Sequence, residues 1–227
     1  MKPDAGNAEP RLKEAYRERQ LAVIAARWDQ RAAEWDHALI DPACHLNDDD
    51  AYARYLGEAR RCVSRRADYC QKHGLIDAGC GTGLVLTELV PSFAWGIGVD
   101  ISHEMLCAAT AKGIAHARFL AGDCFRLAEV CPKAGAVFSR GVLLSHYGRL
   151  QGPALLESAA EVLLPGGFLL FDFLNDLARR NYQHSPEDKT YYTPQQACVL
   201  ARGLGFKTVT VRGEAERRVL LLLAKKG

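Results

Sequence analysis

Apolar residues along this chain follow two different periods. Short apolar runs, at 75–78, 94–100, 117–123, 135–140, 168–174, 206–213 and 217–226, predict strands. Between them, helical spacing predicts helices from about 82, over about 102–112, over about 153–164 and over 194–203. Near-continuous apolar strands separated by helices indicate a mostly parallel sheet that is covered on both faces.

The end of the chain departs from this alternation. Only the polar link "GEAE", 213–216, separates the last two predicted strands, which therefore form an antiparallel hairpin at one edge of the sheet. The predicted fold is a doubly wound α/β architecture with seven strands.

Good helix formers dominate the N-terminal region from Glu9 to about Leu39, where Trp28, Ala32, Trp35 and Leu39 share one helix face. Two interpretations remain: this stripe docks on the core, or the helix closes over the ligand site as a lid. After Pro42, Asn47 and Asp48 are candidate N-caps for a second helix reaching about His73. We expect residues 1–73 to form a helical extension packed on a domain of residues 74–227. For the three consecutive aspartates 48–50, capping is favoured over a metal site, and no metal is expected.

Composition narrows the function. A length of 227 residues fits one well-cored domain, and a net charge of +2 does not favour nucleic acid as a partner. Eight cysteines without a C-x-x-C pair are interpreted as reduced thiols. The longest apolar run, 219–224, is far shorter than the about 20 residues of a membrane span. With its polar start, the chain is expected in the cytoplasm, as a monomer or homodimer without a membrane partner.

The stretch "LIDAGCGTG", 75–83, joins a predicted strand to a predicted helix through a glycine-rich turn. Such a turn lets a ligand approach backbone amides closely. The spacing is G-x-G-x-G, whereas the dinucleotide fingerprint requires G-x-G-x-x-G. Asp77 would also repel a pyrophosphate and attract a cationic ligand, so the turn points away from NAD.

Because the predicted strands are parallel, the carboxyl ends of four of them lie at the same edge of the sheet as this turn. Open parallel sheets bind ligands beyond that edge. The four strand ends bring together Asp77 to Gly83, Asp100, Asp123, and Ser139 with Arg140. Over about residues 75–225, the chain resembles the class I S-adenosylmethionine-dependent methyltransferases. Four stretches carry the resemblance by their order and spacing: "LIDAGCGTG", "GIGVDIS", "AGDCF" and "LLPGGFLLFDF".

The resemblance implies a Rossmann-like methyltransferase fold and S-adenosylmethionine as cofactor, with S-adenosylhomocysteine as product. The resemblance implies that Asp77 contacts the methionine ammonium directly or through water, Asp100 the ribose hydroxyls and Asp123 the adenine amino group. Taken alone, Asp123 is equally well explained as a helix cap. The implied cofactor-binding residues are Asp77, Gly79, Cys80, Gly81, Gly83, Asp100, Ile101, Asp123, Cys124 and Ser139.

Candidates for the acceptor side follow the fourth strand. His146 is a candidate base or orienting group, or else a structural histidine, and Tyr147 lies beside it. Arg140 either holds an anionic or carbonyl-rich substrate or pairs with Asp172. These three form the catalytic hypothesis. The candidate substrate-binding residues are Tyr16, Trp28, Trp35, Arg140, Asp172, Phe173, Tyr191 and Tyr192; for the two late tyrosines, an ordinary packed loop is the competing account.

The sequence therefore predicts methyl transfer to a nitrogen or oxygen of a small molecule, with a planar heterocycle or aromatic favoured by the aromatic residues. RNA- or protein-directed methyltransferases and a non-catalytic S-adenosylmethionine-binding module are the alternatives.

Overall fold

The computed structural model describes residues 8–40, 50–141, 143–148, 151–182 and 189–227, and within these the side chains of 8–17 and 39–40 lie outside the description. Its centre is a seven-stranded sheet in the order β3-β2-β1-β4-β5-β7-β6. The strands are β1 Leu75–Ala78, β2 Gly96–Asp100, β3 Ala117–Ala121, β4 Ala134–Ser139, β5 Leu163–Leu174, β6 Phe206–Arg212 and β7 Val219–Lys226.

Strands β1 to β5 pair in parallel, and β7 runs antiparallel to both β5 and β6. This topology confirms the predicted fold class, including the hairpin. Because β1 pairs with β2 on one side and with β4 on the other, the chain changes direction at β1. A crevice for a ligand opens beyond the strand ends at such a point.

Helices cover both faces of the sheet. They are α1 Ala8–Asp29, α2 Trp35–Ile40, α3 Ala51–Ser64, α4 Ala67–Cys70, α5 Leu84–Leu89, α6 His103–Ala111, α7 Leu127–Val130, α8 Leu143–His146, α9 Gly152–Val162 and α10 Pro194–Gly203. Successive strand residues enter opposite cores: Leu75 and Ile76 are both fully buried but belong to different apolar clusters. This is the two-residue period of a strand that is buried on both faces.

The sequence predicts one continuous helix over 9–39, and this is wrong because the helix is interrupted between Asp29 and Trp35. The chain leaves α1 at Asp29, forms a short 3-10 turn at Ala32–Glu34, and restarts as α2. No glycine or proline lies at this break. Tertiary contacts made by Asp29, described below, provide its physical reason.

Other boundaries also shift. The second predicted helix is interrupted at Arg65 and Arg66, and the proposed caps Asn47 and Asp48 lie outside the described residues. The helix predicted from about 82 begins at Leu84, because Gly83 before it is left-handed, with φ 79°. The division of the chain at residue 73 stays a prediction.

Candidate active site

A cleft opens at the carboxyl ends of β1 to β4, with about 880 Å³ of empty space when the open solvent at its mouth is included. The lining residues are Ile24, Trp28, Trp35, Tyr52, Asp77, Gly79, Cys80, Gly81, Thr82, Leu84, Val85, Asp100, Ile101, Met105, Asp123, Cys124, Arg140, Gly141, Leu143, His146 and Tyr147.

The glycine turn forms one wall of the cleft. Gly79, Gly81 and Gly83 all have positive φ, at 72°, 51° and 79°, which strains any residue with a side chain. The amides of Gly79 and Cys80 donate to the carbonyl of Val99 at 2.8 and 3.0 Å, and so attach the turn to β2. The backbone path therefore depends on the glycines and on the neighbouring strand.

Asp100 sits at the end of β2 and holds the glycine turn in place. Its Oδ2 accepts a hydrogen bond from the Gly81 amide at 2.8 Å, and its Oδ1 accepts one from the Ser102 amide at 2.9 Å. Burial raises its pKa, whereas these backbone hydrogen bonds act in the opposite direction. Because each carboxylate oxygen has two lone pairs, both oxygens can also accept a hydroxyl from a ligand.

Asp77 is a buried carboxyl group in the cleft that the described chain leaves without a hydrogen-bond partner. The residue is 1% exposed, and neither carboxylate oxygen has a hydrogen-bond partner within the described chain. Burial, followed by the charges of Asp100 and Asp172, raises its pKa to about 8. A buried polar group without a partner is costly. A cationic ligand group would supply the missing partner, so the site fits an ammonium.

The remaining predicted cofactor residues differ in their roles. Asp123 lines the cleft, and its Oδ1 accepts a hydrogen bond from the Phe125 amide at 2.9 Å, so it also caps the 3-10 turn Cys124–Arg126. Ile101 and Cys124 line the cleft, whereas Ser139 is buried at the end of β4 and is not among the lining residues. Burial raises the pKa of both the Cys80 and the Cys124 thiol well above its ordinary value, which disfavours a nucleophilic role.

The N-terminal helices α1 and α2 supply another wall of the cleft, and we call these two helices and the turn between them the roof. The roof residues that line the cleft are Ile24, Trp28 and Trp35. The ring centroids of Trp28 and Trp35 are 5.2 Å apart in an edge contact, and Trp28 stacks on His146 at 5.6 Å. In an unbroken helix, residues seven apart would be separated by about 10 Å along the axis. The break after α1 therefore brings the two indole rings together over the glycine turn.

Two aspartates join the roof to the domain beneath it. Asp29 Oδ1 accepts from the Ser102 hydroxyl at 2.6 Å and from the Glu104 amide at 3.1 Å. The hydrogen bond from Ser102, then that from Glu104, lowers the pKa of Asp29. Asp36 accepts from the Thr82 hydroxyl and pairs with Lys112 at 2.6 Å. We call these the roof contacts; their partners lie in the glycine turn, in α6 and at the two residues that flank α6.

Three candidate groups for the acceptor side, Arg140, His146 and Tyr147, also line the cleft. Arg140 is half-buried, and its guanidinium carbon lies 5.2 Å from the centroid of the Tyr52 ring. Burial lowers the pKa of Arg140, while the charge of Asp172 opposes this effect. Tyr147 packs edge-on against Phe125 at 4.6 Å.

Four predicted substrate residues do not reach the cleft lining. Asp172, Phe173, Tyr191 and Tyr192 are at most 3% exposed and belong to the interior. Asp172 Oδ2 accepts from the Gly141 amide at 3.0 Å, and Phe173 packs edge-on against Tyr192. For Asp172 and Phe173 the reason is that β5 has a strand on each side and helices on both faces, so its side chains enter the core. The side chain of Tyr16 lies outside the described part of the chain.

Sequence reasoning missed Tyr52, Ile24 and Leu143, which all line the cleft. Tyr52 lies one residue into α3 and so reaches the cleft from a helix that otherwise packs on the core. The available signal was the pair Tyr52 and Tyr55, three residues apart on one helix face.

The described residues hold no group of three or more His, Cys, Asp or Glu side chains suited to a metal ion. As far as the structure describes the chain, every helix is too short or too polar to cross a lipid bilayer.

Comparison with known proteins supports the resemblance seen in the sequence. Residues 75–167 match the family described as a methyltransferase domain. The ubiquinone biosynthesis O-methyltransferase of Idiomarina loihiensis is 26% identical over 102 residues, which are 44% of this chain and 42% of that protein. The match thus spans less than half the length of the curated relative.

Solved structures with the same fold bind S-adenosylmethionine or its product. The magnesium protoporphyrin IX methyltransferase of Synechocystis PCC 6803, solved with S-adenosylhomocysteine, is 16% identical at a TM-score of 0.70, covering 91% of this chain and 99% of that one. An amino pentose methyltransferase of Micromonospora echinaspora, solved with S-adenosylmethionine, is 16% identical at a TM-score of 0.61, covering 76% and 92%. At these identities, the likeness confirms the fold.

Proposed function

We propose that this chain is a class I S-adenosylmethionine-dependent methyltransferase and transfers a methyl group to a nitrogen or oxygen of a small molecule. The single observation that carries the proposal is the buried, unpartnered carboxylate of Asp77 at the base of the cleft. A ligand with an ammonium group compensates this charge, and the methionine moiety of the cofactor carries such a group.

The other cofactor contacts follow from the strand ends. The glycine turn allows close approach of a ligand to the backbone, and Asp100 retains lone pairs for two ribose hydroxyls. Asp123 and Cys124 line the cleft, and we assign the adenine edge to the Asp123 carboxylate and the Cys124 backbone amide. When bound, S-adenosylmethionine supplies a methyl group that is already activated by the positive charge on sulfur.

The chain's own contribution to the reaction is mainly positioning. Bound in this cleft, the cofactor would supply the methyl carbon to an acceptor lone pair, and the electron pair of the broken methyl–sulfur bond would stay on sulfur. Holding donor and acceptor in line supplies up to roughly 7–11 kcal/mol of the barrier reduction in favourable cases. The roof and its contacts with α6 provide this alignment and exclude water.

His146 is the group to which we assign the acceptor proton. It lines the cleft, and stacking on Trp28 fixes the plane of its ring. Histidine titrates near neutral pH, which suits a general base. Tyr147 and Arg140 line the same cleft, and we assign them to orienting the acceptor.

The acceptor class is supported by the residues that line the cleft. Trp28, Trp35, Tyr52 and Tyr147 present aromatic rings, which favours a planar aromatic or heterocyclic acceptor. The low net charge of +2 provides no electrostatic basis for a nucleic-acid partner. A cytoplasmic monomer or homodimer that acts on a small molecule, without a membrane partner, completes the proposal.

Calorimetric titration with S-adenosylhomocysteine, with NAD as the control ligand, tests the donor side. Micromolar binding of S-adenosylhomocysteine alone, about 8 kcal/mol, is expected. Transfer of labelled methyl from S-adenosylmethionine to a panel of hydroxylated and aminated aromatics then tests catalysis. Binding of NAD alone, or of neither ligand, would contradict the proposal. Binding without turnover on any acceptor would favour a non-catalytic module.

A further inference from the structure

The distribution of charge inside the cleft is uneven. Among the lining residues, three carboxyl groups belong to the strand ends that we assign to the cofactor: Asp77, Asp100 and Asp123. On the acceptor side, Arg140 is the one lysine or arginine among the lining residues that the structure describes. The site therefore separates acidic groups on one side from a basic group on the other.

Arg140 is incompletely satisfied by the protein. Its Nε is buried without a hydrogen-bond partner in the described part of the chain. Its guanidinium lies over the ring of Tyr52, which does not provide a hydrogen-bond acceptor oxygen to that nitrogen. Asp172 acts on Arg140 through its charge, but it is buried, binds the Gly141 amide and does not line the cleft. A buried guanidinium nitrogen without an acceptor is costly, so a ligand oxygen at this position gains the missing hydrogen bond.

The aromatic residues limit what carries that oxygen. Tyr52, Trp28 and Trp35 line the cleft, with Tyr52 in contact with Arg140 and the two indole rings in contact with each other. Flat aromatic walls favour a flat ligand, and a planar guanidinium fork matches a planar carboxylate. One arginine beside three carboxyl groups favours a singly charged group over the larger charge of a phosphate.

We propose that the methyl acceptor is a small aromatic or heteroaromatic monocarboxylate, whose carboxylate binds Arg140 and whose ring lies between Tyr52 and the roof. This inference rests on the proposed function, since it names the acceptor of that reaction. It makes Arg140 a specificity residue rather than a group that handles the transferred proton.

Matched pairs of acceptors test it. Protein loaded with S-adenosylhomocysteine is titrated with hydroxybenzoates and hydroxyquinoline carboxylates, and with the corresponding carboxamides and the same rings bearing phosphate. We expect a carboxylate to bind at least tenfold more tightly than its amide. Arg140→Met should abolish this difference, and Arg140→Lys should restore part of it.

Arg66 provides the matched control. It is also half-buried, has a buried nitrogen without a partner in the described chain, and lies over an aromatic ring, Phe168, at 4.7 Å. It does not line the cleft. Arg66→Met should leave the preference for the carboxylate unchanged.

The outcomes separate the two proposals. Normal S-adenosylhomocysteine binding with equal affinity for carboxylate and amide, with no binding by any carboxylate, or with a preference for phosphate would overturn the inference and leave the proposed function standing. Loss of the preference in Arg66→Met as well as in Arg140→Met would also overturn it. Failure of the wild-type protein to bind S-adenosylhomocysteine would instead refute the proposed function, and this inference with it.

Discussion

The two halves of the cleft are built in different ways. The half that we assign to the cofactor consists of strand ends and the glycine turn, joined by backbone hydrogen bonds such as those from Gly79 and Cys80 to Val99. The acceptor half consists of side chains from separate helices, among them Trp28, Tyr52 and His146. Backbone hydrogen bonds fix the first half, whereas ring contacts and the roof contacts hold the second. We therefore expect changes in the first to affect cofactor affinity, and changes in the second to affect acceptor binding or turnover.

The largest effect is expected for Asp77→Asn. Removing one partner of a buried charge pair costs about 3–5 kcal/mol, so the affinity for S-adenosylhomocysteine should fall by a factor on the order of 1000. Calorimetry measures this. Glu58→Gln is the control, because Glu58 is a buried acid outside the cleft that pairs with Arg61. Unchanged affinity in Asp77→Asn would show that this carboxylate does not bind the ligand.

The same residue predicts a pH dependence with a defined sign. In the ligand-free protein the pKa of Asp77 is raised to about 8, so at pH 6 to 7 cofactor binding must release its proton. Affinity should rise about tenfold per pH unit between pH 6 and 8 and then level off. Calorimetry in buffers of different ionisation enthalpy should record about one proton released at pH 6.5. A flat profile for the wild-type protein, or the same slope in Asp77→Asn, would contradict the assignment.

Asp77 also reduces stability in the ligand-free protein. Because its pKa is raised on folding, its contribution to stability is full below about pH 4 and is lost as pH rises toward 8. The free energy of unfolding of Asp77→Asn should therefore exceed that of wild type at pH 7 by about 1–3 kcal/mol, and this difference should shrink toward pH 4. Denaturant titration at the two pH values measures it.

His146→Ala tests the acceptor half. Loss of a general base lowers turnover by about 100-fold or more, while S-adenosylhomocysteine affinity should change less than threefold. His73→Ala is the control, since its ring also packs on an aromatic residue, Tyr69, at 4.4 Å but outside the cleft. Equal turnover in wild type and His146→Ala would leave His146 a structural residue.

Asp100→Ala should lower the affinity for S-adenosylhomocysteine by less than Asp77→Asn does. It removes a charged acceptor of two hydrogen bonds and frees the Gly81 amide, with an expected loss of about 1.5–3 kcal/mol, or about 10- to 100-fold in affinity. Isothermal titration of Asp100→Ala beside Asp123→Ala compares ribose with adenine contacts. An affinity equal to that of wild type would exclude Asp100 as a ribose ligand.

The smallest effect is expected for the roof contacts. Asp29→Asn with Asp36→Asn weakens the hydrogen bonds to Ser102 and Thr82 and the ion pair with Lys112. We expect a 3- to 10-fold increase in acceptor KM and faster amide exchange in α1 and α2, with little change in S-adenosylhomocysteine affinity. Asp68→Asn, in α4, is the control. A larger loss of cofactor affinity than of acceptor binding would contradict the division of the cleft.

What the sequence predicts follows the same division. Strand ends and the glycine turn depend on local patterns, so the sequence alone predicts one shared site for Asp77, Gly81 and Asp100, and all three line the cleft. The acceptor half depends on contacts between distant segments. The helix break after Asp29 arises from hydrogen bonds to Ser102 and Glu104, and no local breaker signals it.

Tyr191 and Tyr192 are residues that local sequence assigns to the site but tertiary packing places in the interior. Tyr191 and Tyr192 follow a polar segment, which favours an exposed aromatic cover over the site. In the structure Tyr191 packs with Leu174, and Tyr192 lies against Phe173. Local composition predicts that a tyrosine follows a loop, but only the tertiary packing decides which surface it covers.

The roof is attached to the rest of the molecule through side chains, and its described residues belong to no strand of the sheet. A segment connected in this way can be exchanged without altering the hydrogen-bond ladder of the parallel strands. Chimaeras that replace residues 8–40 while retaining aspartates at 29 and 36 would therefore be a practical route to new acceptor preferences on an unchanged donor site. The same modularity gives natural variation a place to diversify chemistry at little risk to folding.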